Sequence, residues 1–230
     1  MTYQFKGPCP VCGGGAFALA NVLWPELIAA WQLTESEADY VNRQQGLCCQ
    51  QCGNNLRAMG LAAAVLRAYT YPGNLIGFCK SFPNLRVLEI NTAGNLTSFL
   101  KKMPGHRLVE YPQFDMMNLD IESKAFDLVL HSDSLEHVPD PDRGLAECRR
   151  VLDDNGRCIF TAPIIVGRAS RSRLGLAPSY HGQAYTNAPD QLVHTEFGTD
   201  IWTNVMEAGF VSCDIFSLEY PAALAIIART

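Results

Sequence analysis

Residues 126–163 read FDLVLHSDSLEHVPDPDRGLAECRRVLDDNGRCIFTAP. Phe126 to His131 is apolar almost throughout, as a strand buried on both faces of a parallel sheet requires. A short loop follows. Pro141 then opens the stretch PDRGLAECRRVL, whose Leu145, Cys148 and Leu152 fall on one face of a helix. Asp153-Asp154-Asn155-Gly156 reads as a turn, and RCIFTAP, residues 157–163, as a second strand. Strand, helix and strand in that order form the unit of a parallel α/β sheet.

The same grammar extends outward. Upstream, LRVLEI (85–90) is a strand and GNLTSFLKKM (94–103) a helix stopped by Pro104-Gly105. HRLVEY (106–111) is a second strand and FDMMNL (114–119) a short third. Downstream, TDIWTNVMEAGF (199–210) is a helix with Gly209 at its end, and VSCDIFSL and ALAIIAR are spaced to pair as an antiparallel hairpin. Residues 164–198 form a long connection beyond the carboxyl end of a strand, where open α/β sheets bind ligands.

Before residue 83 the pattern differs. PCPVCG (8–13) and CQQCG (49–53) are each a C-x-x-C followed by glycine. Two such turns aim four thiolates at one point, so Cys9, Cys12, Cys49 and Cys52 are the expected ligands of a structural zinc ion. Cys48 is the competitor of Cys49, and four reduced core cysteines are the alternative to a metal site. Between the turns, Thr34 and Glu37 fit a capping box and Gly46 a helix end. NNLRAMGLAAAVLRAYTY (54–71) reads as a helix. The expected organisation is a zinc-binding, mostly helical region over 1–82 and an α/β domain over 83–230. Cys79, Cys148, Cys158 and Cys213 sit among apolar residues and are expected in the core.

The chain has 230 residues, 48% of them hydrophobic, and a formal charge of −5. That size supports one large domain or a domain with an appendage. The acidic balance argues against a general nucleic-acid binder. No apolar stretch is long enough to span a membrane, and MTYQFKGPCP lacks the regions of a secretory signal. A cytoplasmic location is the expectation.

From about residue 85 the chain resembles the class I S-adenosylmethionine-dependent methyltransferases, particularly the small-molecule type. Phe126-Asp127-Leu128-Val129, Glu136-His137-Val138 and Arg150-Val151-Leu152 carry the resemblance by order and spacing. It implies a Rossmann-like sheet, mostly parallel with the C-terminal hairpin antiparallel, and S-adenosylmethionine as cofactor. Glu89 stands where the family's first motif has an acid. The glycine positions that follow are Asn91, Ala93 and Asn95, and Gly94 is offset by one. Asparagine tolerates the left-handed region and alanine is small, so the loop 91–95 is a variant that can still approach the cofactor. The resemblance further implies that Glu110 holds the ribose and that Asp115 and Met116 hold the adenine, with Asn118 as competitor. It places His131 and Ser132 along the methionine end.

Methylation of a hydroxyl or amine requires a positioned nucleophile and a base. His137 and His181 are the candidate catalytic residues. Arg168, Arg171 and Arg173 cluster in GRASRSR, with Tyr180, Tyr185 and His194 nearby. Arginine forks suit phosphate or carboxylate, which extends the expectation to an anionic acceptor; a solvated positive loop is the equal alternative. His106 opens a strand and reads as structural. The leading reading is an O- or N-methyltransferase of a small-molecule or glycan-type acceptor. A zinc-finger RNA methyltransferase and a non-catalytic binding protein with a degenerate loop are the alternatives. The oligomeric state is not encoded in any of these patterns.

Overall fold

The structure, a computed structural model, describes residues 5–180 and 189–230. A six-stranded sheet runs through it. In chain order its strands are β3 (Val87–Ile90), β4 (His106–Val109), β5 (Phe126–Ser132), β6 (Leu152–Thr161), β10 (Ser212–Glu219) and β11 (Ala223–Arg229). The spatial order is β10-β11-β6-β5-β3-β4. β4, β3, β5 and β6 are parallel, and β11 and β10 are antiparallel. The Rossmann-like arrangement that the resemblance implies therefore forms, and so does the C-terminal hairpin expected from the spacing of the last two runs.

Both faces of the sheet are covered, because successive strand residues point to opposite sides. Val87, Leu128, Leu130, Ile159, Ala223 and Ala225 join one core cluster with Leu56, Met59 and Leu61 of helix α3 (Leu56–Ala68). Leu88, Val129, Cys158, Leu224 and Ile226 join the other with Leu145 and Cys148 of α6 (Pro141–Val151) and Val205 of α7 (Trp202–Glu207). α3 thus lies on the sheet, and Gly60 brings it close: a Cβ at Gly60 would stand 3.4 Å from the Ala223 side chain. α6 starts where Asp140 accepts a hydrogen bond from Arg143 N–H, with Pro141 in the first turn.

Three local expectations change. FDMMNL is no strand. Its segment makes only an isolated bridge between Asp115 and Asn118, because its backbone is satisfied by α6 instead. Glu147 accepts from Leu119 N–H at 2.9 Å, and Arg150 donates to the carbonyls of Leu119 and Ile121. The helix expected over 94–103 shrinks to a 3₁₀ turn, Gly94–Leu96, and α5 (Thr97–Leu100). Asp153 to Gly156 leave the sheet as a bulge inside β6: Leu152 pairs with Phe126, and the next pairing is Arg157 with Leu128.

The first eighty residues hold α1 (Pro25–Ala30), α2 (Glu35–Gly46), α4 (Leu75–Ser81) and a two-stranded ribbon of β1 (Phe17–Leu19) and β2 (Leu47–Cys49). The Thr34–Glu37 capping box forms at the start of α2. Beyond β6, the connection adds a small sheet of β7 (Ile164–Ile165), β9 (Thr195–Gly198) and β8 (Arg171–Ser172), in that order. No helix among the described residues is long and apolar enough to cross a membrane.

His131 is fully buried on the α6 side of β5, stacked on Phe160 with ring centroids 4.5 Å apart. Neither ring nitrogen has a hydrogen-bond partner among the described residues. Burial pushes its pKa down to about 3 from an ordinary 6.5. Below pH 6.5 the unfolded chain therefore takes up a proton that the folded protein refuses, so stability falls as pH falls. The slope from this group is about 1.4 kcal/mol per pH unit. We expect the stability difference between wild type and His131→Leu to shift by about 2 kcal/mol in favour of the variant between pH 6.5 and pH 5. Urea midpoints at the two pH values measure this, and a difference that does not move with pH would mean that water reaches the ring.

Candidate active site

The carboxyl ends of β3, β4 and β5 open into a cleft of about 400 Å³. Asn91 and Thr92 enter it from β3, Glu110 and Tyr111 from β4, and Ser132, Asp133 and Ser134 from β5. Phe114, Asp115, Met116 and Met117 form one side, and His137, Val138, Gln191 and His194 close another. Of the residues expected at a cofactor, the structure thus brings together Asn91, Glu110, Asp115, Met116 and Ser132. The exposed Asn118 is not among the residues lining the cleft. Thr92, Tyr111, Phe114, Asp133 and Ser134 were not singled out by the sequence. Their places at strand ends and in the segment after β4 are the signal that could have found them.

Glu89 does not reach the cleft. Its carboxylate lies fully buried beneath the loop. It accepts from Ala93 N–H at 2.8 Å and Thr97 Oγ1 at 2.5 Å, and pairs with His106 Nε2 at 2.7 Å. His106 is structural, as read. The loop is shaped from below by this carboxylate, with Asn91 at φ 56° and Gly94 at φ 60° supplying the left-handed geometry. The Ala93 N–H turns inward and Ala93 is buried, so only Asn91 and Thr92 of the loop face the cleft. The Asn91 side chain also joins three strand ends. Its Oδ1 accepts from Tyr111 N–H at 3.1 Å, and its Nδ2 donates to Ser134 Oγ at 3.3 Å. Asn95 points outward and donates from Nδ2 to the Gly53 carbonyl at 2.8 Å.

His131, expected at the cofactor, is instead the buried core residue described above; the strand alternation sends it to the helix face while Ser132 turns to the cleft. His137 Nδ1 lies 3.0 Å from the Leu192 carbonyl. A carbonyl only accepts, so Nδ1 carries the hydrogen and Nε2 is the basic nitrogen of the neutral ring. Nε2 stands 3.6 Å from Oε1 of the buried Glu136. His194 lines the same cleft, and burial followed by the nearness of His137 lowers its pKa.

A second cavity, of about 530 Å³, adjoins the cleft. The two share Thr92, Ser132, Asp133, His137 and Gln191. Its far wall is built from the N-terminal region, with Leu23, Trp24, Leu27 and Trp31 facing Ile164, Ile165 and Tyr180. Among the described residues of the loop 164–198, Ile164, Ile165, Tyr180 and Gln191 line it. The arginine cluster does not enter it. Arg168 donates to both oxygens of Glu37 at 2.7 and 2.6 Å, and Arg171 and Arg173 both pair with Glu196. These guanidinium groups brace the loop against α2 and against itself. His181 and Tyr185 lie outside the described residues.

The Sγ atoms of Cys9, Cys12, Cys49 and Cys52 lie within 4.8 Å of one another. Each C-x-x-C-G turn closes alike. Gly13 N–H donates to the Cys9 carbonyl and Gly53 N–H to the Cys49 carbonyl, both at 2.8 Å, with the glycines at φ 83° and 68°. Cys49 belongs to the cluster and Cys48 does not.

Residues 59–160 match a family described as "Methyltransferase domain". No curated protein matches the chain. Among solved structures, the chain is similar to a S-adenosylmethionine-dependent methyltransferase from Thermotoga maritima, at 18% identity and TM-score 0.38, over 68% of this chain and 87% of that one. A S-adenosylmethionine-dependent methyltransferase from Mesorhizobium loti is similar at 14% identity and TM-score 0.37, over 64% of this chain and 91% of that one. PigF with SAH is similar at 16% identity and TM-score 0.43, over 68% of this chain; the chain spans 54% of that protein.

The exposed Glu110 can be replaced without disturbing the core. Glu110→Ala is expected to weaken binding of S-adenosylhomocysteine by about tenfold or more, equivalent to about 1.4 kcal/mol. Calorimetric titration measures it, and an unchanged dissociation constant would place the ribose elsewhere.

Proposed function

We propose that this chain, an S-adenosylmethionine-dependent methyltransferase, methylates an oxygen or nitrogen of a small-molecule acceptor seated between its sheet and its N-terminal region. The observation that carries the proposal is the junction of the two cavities at Thr92, Ser132, Asp133, His137 and Gln191. A donor in the first cavity and an acceptor in the second would meet there.

The donor set of the first cavity fits the cofactor. Glu110 supplies a carboxylate that can accept two ribose hydroxyls. Asp115 and Met116 offer an acceptor and an apolar surface to the adenine. Asn91, Thr92 and Ser132 stand at the strand ends where the methionine part would lie. When bound, the cofactor supplies an electrophilic methyl group. The protein's part is to hold the acceptor in line and take its proton. His137 Nε2 is proposed as the group that receives that proton. Its Nδ1 hydrogen bond to Leu192 fixes the tautomer, and the Glu136 carboxylate beside Nε2 stabilises the imidazolium that results. Tyr180 belongs to the acceptor side and His194 to the cofactor side.

The four-cysteine cluster is proposed as a structural zinc site. Its thiol-only donor set suits zinc, and four protein ligands leave no open position for chemistry. Its role follows from what it holds. β2 ends in Cys49 and pairs with β1, and the chain from β1 leads to the cavity wall at Leu23–Trp31. Gly53 carries the carbonyl that receives Asn95.

Protein purified without chelator is expected to contain about one zinc per chain, and Cys52→Ser to lower the thermal midpoint with loss of that zinc. Metal analysis that finds none would remove the zinc proposal. For the reaction, radiolabelled S-adenosylmethionine incubated with metabolite and RNA pools should label small molecules. His137→Asn should reduce the turnover by about 10²–10⁴ with S-adenosylhomocysteine affinity unchanged. Label appearing in RNA alone, or a variant with wild-type turnover, would overturn this reading.

A further inference from the structure

The second cavity differs in character from the anionic site that the arginine cluster suggests. Its N-terminal wall carries two tryptophans. Trp31 is held in place by an indole N–H donated to Ser179 Oγ at 2.9 Å, and Trp24 and Leu27 stand near it on α1 and its approach. Leu23, Ile164 and Ile165 complete an apolar lining. Of its polar lining residues, Thr92, Ser132, Asp133, His137 and Gln191 stand at the junction with the first cavity.

Charge in the cavity is balanced. Among the described residues Arg57 is its one lining cation other than the histidine, and it is paired with Asp133. Asp133 also accepts from Gln45 Nε2 at 3.3 Å. An anion entering here would have to displace a carboxylate from a half-buried guanidinium, and a cation would have to displace the arginine; both leave a charge without its partner. A neutral molecule disturbs neither. At about 530 Å³ the cavity lies within the range of small-molecule sites, about 300–1,000 Å³.

We infer that the acceptor is a neutral, ring-bearing small molecule, its apolar ring held between Trp24, Leu27 and Trp31 and its single protic nucleophile directed at the Asp133–His137 end. This rests on the reading of the second cavity as the acceptor site. The N-terminal region then sets acceptor specificity, while the sheet ends hold the cofactor. Discrimination comes from two features together: flat aromatic walls select a ring, and a closed Arg57–Asp133 pair disfavours charge.

The test uses 4-bromophenol as a neutral probe and 4-bromobenzoate as its anionic counterpart. Bromine quenches tryptophan emission on contact. The chain has three tryptophans, and Trp202 is 48% exposed on α7, away from both cavities. Trp202→Phe therefore leaves only Trp24 and Trp31 as reporters. In that variant, saturated with S-adenosylhomocysteine, 4-bromophenol should quench saturably, and 4-bromobenzoate should bind about tenfold or more weakly. Leu27→Gln, at a half-buried position, should weaken 4-bromophenol about tenfold while its thermal midpoint and S-adenosylhomocysteine affinity stay at the parent values. Absence of saturable quenching, tighter binding of the benzoate, or indifference to Leu27→Gln would overturn the inference and leave the cofactor reading intact. Failure of S-adenosylhomocysteine to bind would instead sink the proposed function and this inference with it.

Discussion

A carboxylate without access to solvent organises this protein's site. Glu89, one residue before the end of β3, lies under the loop 91–95, and it accepts from the Ala93 amide and the Thr97 hydroxyl and pairs with the His106 ring. An isolated carboxylate in the core would be costly; three partners on the loop, on α5 and on β4 remove that cost and tie the elements to one point. Glycines commonly shape such a loop by tolerating unusual dihedrals. Here one glycine and one left-handed asparagine suffice, because hydrogen bonds impose the curvature from below.

The same economy extends outward through asparagine side chains. Asn91 joins the ends of β3 and β4 to Ser134 after β5, and Asn95 reaches the Gly53 carbonyl of the second cysteine turn. The front region is therefore tied to the strand ends and lines the second cavity. α3 shares the core of the sheet, β1 and β2 set where the chain emerges toward α1, and α1 walls the second cavity. Contacts run from the cysteine turns to the loop 91–95 and, through β1, to the N-terminal wall of the second cavity.

Ion pairs serve geometry in the long connection after β6. Arg168 spans to Glu37 on α2, whose carboxylate it holds below the usual range, and Glu196 takes both Arg171 and Arg173. Each arginine is fixed where its partner lies, so the local run of positive charge becomes a brace for the small β7-β9-β8 sheet. In the second cavity Arg57 is likewise paired with Asp133 within the protein.

What the sequence by itself determined is local or periodic. Strand residues alternate between two buried faces, so Val87 and Leu88, or Leu128 and Val129, commit to opposite cores whatever the partners are. The capping box at Thr34, the paired C-x-x-C-G turns and the C-terminal hairpin each follow from residues a few positions apart. Glu110 and Ser132 line the first cleft because they stand at or just past the carboxyl ends of β4 and β5, which the apolar runs mark, whereas Asp115 reaches it from the irregular segment after β4. Tertiary structure decided the rest, since it turns on which distant side chain satisfies a group. Arg168 and Glu37 are separated by 131 residues, and no local pattern pairs them. FDMMNL has a strand's composition, yet Glu147 and Arg150 of a later helix take its backbone bonds. His131 and Ser132 are neighbours in sequence, but one faces α6 and the other the cleft, because the pleat turns each residue away from the next.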